Sequence, residues 1–446
     1  MRYKRLLLFL MLYPVFAGAE ELSLQQCFDL ALANNPSLEI ARLDALAAKE
    51  DQQQAHKDLL PALNFAASYK RQSELPKIEI PPIETPYGQA VSIFPEGGME
   101  LGSLDTYDFK ITLSQPVFTG FRLTNRQKSA LALADNKQYE YQRKKNELLY
   151  QVEVGYRNVQ QTMQILEITR TGQKQVEQHL KDVQNFYEQG LARKDEVLKV
   201  QVKLTEAELA VMQAQNAVQL SGTYLANLIG QPVSEKPVVE QVITPQLQSV
   251  DREGTLNLAM AQRLEFQSLN SLKTAAGYAE KIVKGDYWPS VAAFASYAYG
   301  KPGLNFTSDE WMNYWVAGVG LEWKLWNWGK TGSQVQQARL KTQSIDNSIA
   351  QVRLAVRLDV DQACLQVDEV SKRLEMTGQM VSQAEESFRI VENNYKIGTA
   401  GNSDYLDAQF DLTRAQLQQA RAEIDYLLAL ANLKRAEGDA FSTEEK

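Results

Sequence analysis

Cysteine and histidine are nearly missing: the 446-residue chain has two of each. Cys27 and Cys364 lie too far apart for a metal-ligand spacing or a disulfide framework. His56 and His179 sit in polar helical patterns and read as solvated side chains, so the sequence points to neither zinc chemistry nor histidine-based catalysis, and to no metal or cofactor. A nucleophile elbow and a glycine-rich phosphate loop are both absent, which argues against an exported hydrolase and against nucleotide binding. Acidic residues number 55, so carboxylate spacing alone leaves a glycosidase open. No basic patch interrupts a net charge of −8, which argues against a nucleic-acid surface. After residue 19 no run approaches 18 consecutive apolar residues, so a membrane would have to be crossed by strands. What remains resembles a soluble protein: 23% charged residues, a mean hydropathy of −0.36, and a length suggesting about two or three domains.

Residues 1–19 depart from this pattern. Arg2, Lys4 and Arg5 precede the apolar run Leu6 to Phe16, and Ala17-Gly18-Ala19 follows, the pattern of a secretory signal peptide. Cleavage removes three basic and no acidic residues, giving −8 − 3 = −11. A membrane anchor is the alternative, but the run is shorter than the roughly 20 residues a spanning helix needs. Leu24-Gln25-Gln26-Cys27 weakly matches a lipidation site at Cys27.

The rest of the chain is written twice. LLPALNFAASYKR around Pro61 returns as YWPSVAAFASYAYG around Pro289, an offset of 228 that matches Ala67 to Ala295 and Tyr69 to Tyr297. Beyond it, Leu113 matches Leu321 and Phe118 matches Trp326 at an offset of 208, which then holds without a gap through Tyr187/Tyr395, Gly190/Gly398 and Gly230/Gly438. The 20 additional residues of the first half are proline-rich, with Pro76, Pro81, Pro82, Pro86 and Pro95. Each half reads helix, strand, loop, strand, long helix, turn, helix. The expected division is a signal peptide at 1–19, repeats at 20–246 and 247–438, and a tail at 439–446.

Proline is absent from 117–231 and 303–446, which licenses long helices. From Leu148 to Tyr187 apolar and small residues recur at alternating spacings of four and three, and the pattern restarts from Val197 to Leu228 and from Tyr405 to Ala436. Such heptads imply left-handed supercoiling. A helix from about Arg122 to Tyr187 would be about 100 Å long, which suits the wall of a hollow tube and leaves little room for a substrate cleft.

Four strands are predicted at Leu63–Arg71, Tyr107–Phe118, Val291–Tyr299 and Tyr314–Trp326. They alternate apolar with polar residues and have about the length that crosses a bilayer when tilted. Phe118, Tyr287, Trp288, Trp326 and Trp328 fall where strand meets helix, as an aromatic girdle at a membrane boundary does; a soluble aromatic sheet core is the alternative. Four strands cannot close in lipid, so closure requires other copies. Two copies would supply eight strands and three would supply twelve; the arithmetic asks for an oligomer without choosing three.

With duplicated halves, helices meeting at YEQGL and YKIGT, and closing runs ANLIG and LKRAEG, the chain resembles the TolC-like outer membrane efflux protein family from about Leu22 to Gly438. The resemblance implies an α+β membrane protein: a homotrimer with a long α-helical coiled-coil barrel joined to a transmembrane antiparallel β-barrel, four strands per protomer and 12 in all. It implies an exit channel, not an enzyme, in contact with outer membrane lipid, a periplasmic adaptor and an inner membrane transporter of an efflux or type I secretion system. It also implies that Asp404 and Asp407, with Glu196 on the first hairpin, ring the periplasmic aperture. In the simpler account, Asp404 sits in the first turn of a helix capped by Asn402 or Ser403. Ala400 stands where some relatives carry an arginine that locks the closed tip; Arg193 and Lys194 are candidates to replace it. Gly190 and Gly398 read as reversals needing positive φ. Leu191, Ala192, Thr399 and Ala400 beside them would form a small exposed tip for the adaptor to grip. A periplasmic coiled-coil scaffold without a pore remains the competing reading.

Overall fold

The computed structural model describes residues 21–78, 82–84, 86–88, 90–91, 99–232, 238–241, 247–305 and 309–438. The expected signal peptide, the tail, Pro81, Pro95 and the first repeat's end at 246 lie outside the described residues. Helices dominate: α1 (Leu24–Asn34), α2 (Pro36–Lys57), α3 (Arg122–Glu188), α4 (Lys194–Leu228), α5 (Arg252–Gln262), α6 (Leu264–Lys284), α7 (Lys330–Lys396) and α8 (Asn402–Glu437). The strands are β1 (Ala62–Arg71), the two-residue pieces β2 (Lys77–Ile78), β3 (Ile83–Glu84), β4 (Ala90–Val91) and β5 (Met99–Glu100), and then β6 (Asp105–Phe118), β7 (Ser290–Lys301) and β8 (Met312–Glu322). The bounds of α1 and α5 differ by 228 at both ends, and those of α3 and α7 by 208 at both ends.

The described residues form two compact units, one drawn from residues 21–43, 139–266 and 351–438, the other from residues 44–138 and 267–350. In the first, the heptad residues face inward. Leu148, Val152 and Val159 of α3 pack with Leu225 and Leu228 of α4 and Ala31 of α1. Their counterparts in the second half, Val356, Val360, Val367, Leu433 and Ala436, pack with Ala259, the counterpart of Ala31. Each buried aliphatic side chain contributes about 1.5–3 kcal/mol. A sequence repeat is thus matched by a repeat of packing.

Cys27 and Cys364 are free thiols inside these two clusters. Burial, helped by the Glu240 charge, pushes the Cys27 thiol up to about 12. The chain before Cys27 is itself fastened, since the Tyr156 hydroxyl donates to the Leu22 carbonyl at 3.1 Å. Neither feature suits a lipid anchor at Cys27.

The second unit holds an antiparallel sheet in the order β1-β6-β7-β8. Leu63 stands opposite Leu113, Leu113 opposite Ala295, and Ala295 opposite Ala317. Both edge strands, β1 and β8, carry a partner on one side only. The strand expected to reach Trp326 ends at Glu322, paired with Ser290. The residue before Ser290 is Pro289, which has no N–H to extend the ladder. In the proline-rich insertion, β2 pairs with β5 and β3 with β4, which prolongs the β1–β6 hairpin.

Candidate functional site

Strand alternation sorts the sheet into two chemically different faces. One carries Leu63, Phe65 and Tyr69 of β1, Phe109, Ile111 and Leu113 of β6, Tyr297 and Tyr299 of β7, and Trp315, Val319 and Leu321 of β8. These large side chains are exposed. The other face carries Asn64 and Ser68, Thr112 and Ser114, Ser296 and Ala298, Gly318 and Gly320, with Phe294, Tyr314 and Val316 among them, so it is more polar on β1 and β6 than on β7 and β8. A strongly apolar outside and a more polar inside are the two walls of a membrane barrel with a lumen.

Aromatic residues mark both ends of the apolar face. At the helix end Trp326 and Trp328 meet at 5.8 Å, the Trp323 indole donates to the Tyr287 carbonyl at 3.1 Å, and Phe118 packs edge-on to Phe121 at 5.4 Å. Tyr287 and Trp288 are exposed beside them. Of the predicted interface residues, Trp326 and Trp328 pair with each other, while Phe118 and Tyr287 meet Phe121 and Trp323, which the sequence reading did not single out. At the opposite end Trp311 stacks on Tyr299 at 4.9 Å and lies 5.6 Å from Tyr107, which lies 5.0 Å from Tyr69. Sequence reading missed this second group because its members come from three strands and a loop.

The two helix reversals have one geometry. Gly190 and Gly398 have φ of 74° and 77°, and the following residue donates back across the turn, Leu191 to the Phe186 carbonyl at 2.8 Å and Thr399 to the Asn394 carbonyl at 2.9 Å. This is a helix end closed by a left-handed residue. Leu191 and Thr399 are exposed, as expected, but Ala192 and Ala400 are half-buried, and Ala192 packs against the Val176–Val183–Val200 cluster. Ile397 is the apolar tip residue that the sequence reading overlooked.

After each reversal an acidic side chain closes the next helix. The Arg193 N–H donates to Glu196 Oε2 at 3.3 Å, and the Gly401 N–H donates to Asp404 Oδ2 at 2.9 Å. The two pairs occupy equivalent places in the two halves. The cap before α8 is Gly401, not Asn402 or Ser403, because Asn402 is already helical and its side chain is committed elsewhere. Asp407 is exposed one turn further on. Arg193 Nη2 lies 3.3 Å from Asp195 and 3.9 Å from Glu196, so its charge is spent within its own turn.

His179 is the main correction at this end. Expected in solvent, it is 2% exposed, stacked 4.0 Å from Tyr405 and edge-on to Tyr395 at 5.1 Å. Its Nε2 lies 2.6 Å from Asn402 Oδ1, while Asn402 Nδ2 donates to the Glu196 carbonyl at 3.4 Å. With the amide nitrogen so engaged, Oδ1 accepts and His179 donates. One asparagine thus ties α3, α4 and α8. His56 is exposed, as expected. Among the described residues no three His, Cys, Asp or Glu side chains converge on a metal position.

The chain matches the family described as outer membrane efflux protein over residues 27–231 and 255–439. It belongs to that family. Two segments match, as a duplicated chain requires. Relatives include the alkaline protease secretion protein AprF of Pseudomonas aeruginosa, 22% identical with 93% of this chain and 84% of the relative covered, and the outer membrane protein TolC of Escherichia coli, 23% identical with 93% and 82% covered. The fold matches the outer membrane protein VceC of Vibrio cholerae (TM-score 0.77, 18% identity, 94% and 97% covered). It also matches the Campylobacter jejuni outer membrane channel CmeC (0.79, 16%, 95% and 87%). The protein is a bacterial outer membrane channel of the efflux and secretion class, with a large periplasmic helical part. No described helix is long and apolar enough to cross a membrane.

The buried histidine gives the tip a pH dependence. Burial pulls the His179 pKa below its ordinary value, against the raising effects of the Asn402 hydrogen bond and the Asp182 charge. Glu392 and Glu196 act on the packed rings of Tyr405 and Tyr395. Folded His179 binds its proton less readily than unfolded His179. Its packing therefore stabilises fully above pH ~6.5 and is lost as pH falls through the lowered value. Once the pH dependence of intrinsic exchange is divided out, amide protection in the α7–α8 turn is expected to fall from pH 7 to pH 5 in wild type more than in His179→Phe; equal falls in both would refute the assignment.

Proposed function

We propose that the chain forms, as a homotrimer, the outer membrane exit duct of a tripartite efflux or type I secretion system. It conducts passively what an inner membrane transporter delivers through a periplasmic adaptor, and has no catalysis of its own. The observation that carries this reading is the sheet: large, exposed and apolar on one face, more polar on the other, with an unpaired edge at β1 and another at β8. In lipid both edges need partners. Two copies give eight strands that fill their own interior, whereas three give twelve and an aqueous lumen.

The helical unit supports the same closure. Leu198, Val202, Leu209, Met212 and Leu220 form an exposed apolar stripe on α4, and Leu354, Leu358, Leu365 and Met376 form one on α7. One stripe meeting the other on the next copy makes a heterologous ring. The scaffold alternative has no use for the apolar sheet face. In this reading the two tandem repeats, 20–246 and 247–438, give the trimer a wall of six similar units. Gly190, Leu191, Ala192, Gly398, Thr399 and Ala400 form the adaptor's grip, and Ile397 extends it. Glu196 and Asp404 both cap their helices and, with Asp407, ring the aperture with negative charge, which favours cations. Phe118, Tyr287, Trp288, Trp326 and Trp328 mark the inner lipid boundary.

Purified protein in planar bilayers is expected to conduct ions as a species of three chains, and Asp407→Asn to lower its preference for cations. A monomer without conductance would return the reading to a scaffold.

A further inference from the structure

Where β6 passes into α3 and α6 passes into β7, a pocket of about 290 Å³ is lined by Phe121, Lys128, Lys281, Lys284 and Trp288. Lys284 pairs with Glu280 at 2.7 Å, a carboxylate that Arg339 shares at 3.0 Å. The other two ammonium groups share one aromatic ring: Lys128 Nζ is 5.9 Å and Lys281 Nζ 4.9 Å from the centre of Tyr278. Neither has an ion pair among the described residues, and the nearby guanidinium groups are already engaged, Arg122 with Asp286 at 2.9 Å and Arg126 with Asp58 at 3.2 Å.

Two like charges converging on one ring repel each other. Cation–π attraction, about 0.5–1 kcal/mol per exposed contact, does not supply a counter-charge. Lys281 and Lys284 lie in the last turn of α6, where a helix favours cations. Lys128 lies near the start of α3, where it does not. The rim is aromatic and open to solvent, with Phe121 and Trp288 each 59% exposed. Phe121 is held at φ 63°, a conformation costly for a bulky residue. The pocket lies at the helix connections of the two central strands, β6 and β7, and none of its lining belongs to the edge strands β1 and β8.

We propose that this pocket binds the phosphate of an anionic phospholipid headgroup, with Lys128 and Lys281 as its counter-charges and Phe121 and Trp288 against the glycerol and first acyl carbons. The proposal rests on the reading of β6 and β7 as membrane strands, since that reading puts the pocket at headgroup level. A basic pocket beside interfacial aromatics is suited to this ligand.

The test is native mass spectrometry of the intact detergent-solubilised protein with added phosphatidylglycerol, phosphatidylcholine or inorganic phosphate, alongside bilayer conductance of the same preparation. Wild type is expected to retain about one phosphatidylglycerol per chain in preference to phosphatidylcholine. Lys128→Gln/Lys281→Gln is expected to bind it about 30-fold more weakly, at about 1 kcal/mol per lysine. Lys341→Gln, an exposed lysine outside the pocket, is expected to bind normally. Equal retention by wild type and the double variant, or of both lipids, in a preparation that conducts would overturn the proposal alone. Lysine-dependent retention of inorganic phosphate without phosphatidylglycerol would overturn the lipid source. Absence of conductance would overturn the channel reading and the lipid assignment with it.

Discussion

Arg263→Ala is expected to destabilise the helical unit by about 3–5 kcal/mol, the cost of breaking a buried ion pair from one side. The side chain is 10% exposed and joins three places: Glu265 at 3.0 Å, Asp359 of α7 at 2.7 Å, and the carbonyl of Ala436 near the end of α8 at 3.3 Å. Arg435 holds the other Asp359 oxygen at 3.0 Å, so removing Arg263 leaves Asp359 half-paired and Glu265 with only the charge of Arg143 nearby. Asn35 occupies the matching position in the first half and donates to the Leu228 carbonyl at 3.0 Å. It carries no charge, so Asn35→Ala is expected to cost only about 1–2 kcal/mol. Urea unfolding followed by helical circular dichroism measures both; similar losses in the two variants would show that the ion network adds nothing.

The same network has a definite acid dependence. Burial alone would raise the Asp359 and Glu265 carboxyls, but Arg263, with Arg435 at Asp359 and Arg143 at Glu265, outweighs it and holds both below the usual carboxylate range. Their contribution is complete above the ordinary pKa near ~4 and lost as pH falls through the lowered values. Wild type should lose stability more steeply than Arg263→Ala on acidification below pH ~4.

Gly120→Val is expected to block assembly of the sheet unit, with a local cost of about 3–5 kcal/mol from a left-handed β-branched residue and overpacking together. Gly120 has φ 61°, and a Cβ there would collide with the carbonyl oxygen of Gly285, where the β6–α3 and α6–β7 connections cross. Gly190→Val would face similar backbone strain but no collision, because nothing lies within 4 Å of its added Cβ. The yield of oligomer extracted from outer membranes should therefore collapse for Gly120→Val and hold for Gly190→Val. Normal oligomer from Gly120→Val would show that the crossing can open without cost.

The strand-to-helix connections show how far a one-dimensional pattern reaches. Aligned at an offset of 208, Gly120-Phe121 corresponds to Trp328-Gly329, and all four residues have positive φ. The glycines are legible as turn residues. The aromatic partners are not, since nothing in the sequence announces that Phe121 and Trp328 adopt a conformation bulky residues avoid. The inner aromatic group was expected because Trp288, Trp326 and Trp328 each stand beside the end of a predicted strand. The outer level was missed because Tyr69, Tyr107, Tyr299 and Trp311 meet only when the strands pair.

Periodicity and duplication by themselves determined the long helices, the four principal strands, the inward heptad face and the two reversals. These depend on the heptad period, on strand alternation and on glycine's access to positive φ, all local properties of the chain. The scarcity of cysteine and histidine correctly set aside a disulfide framework, but it could not place His179. A polar helical pattern describes one helix, whereas burial depends on what packs against it, and here Tyr395, Tyr405 and Asn402 arrive from the other half of the chain. Only tertiary structure decided that Glu196 and Asp404 close equivalent turns, that Arg263 binds two carboxylates, and that Lys128 and Lys281 converge on one ring, because each is a meeting of side chains from separate segments.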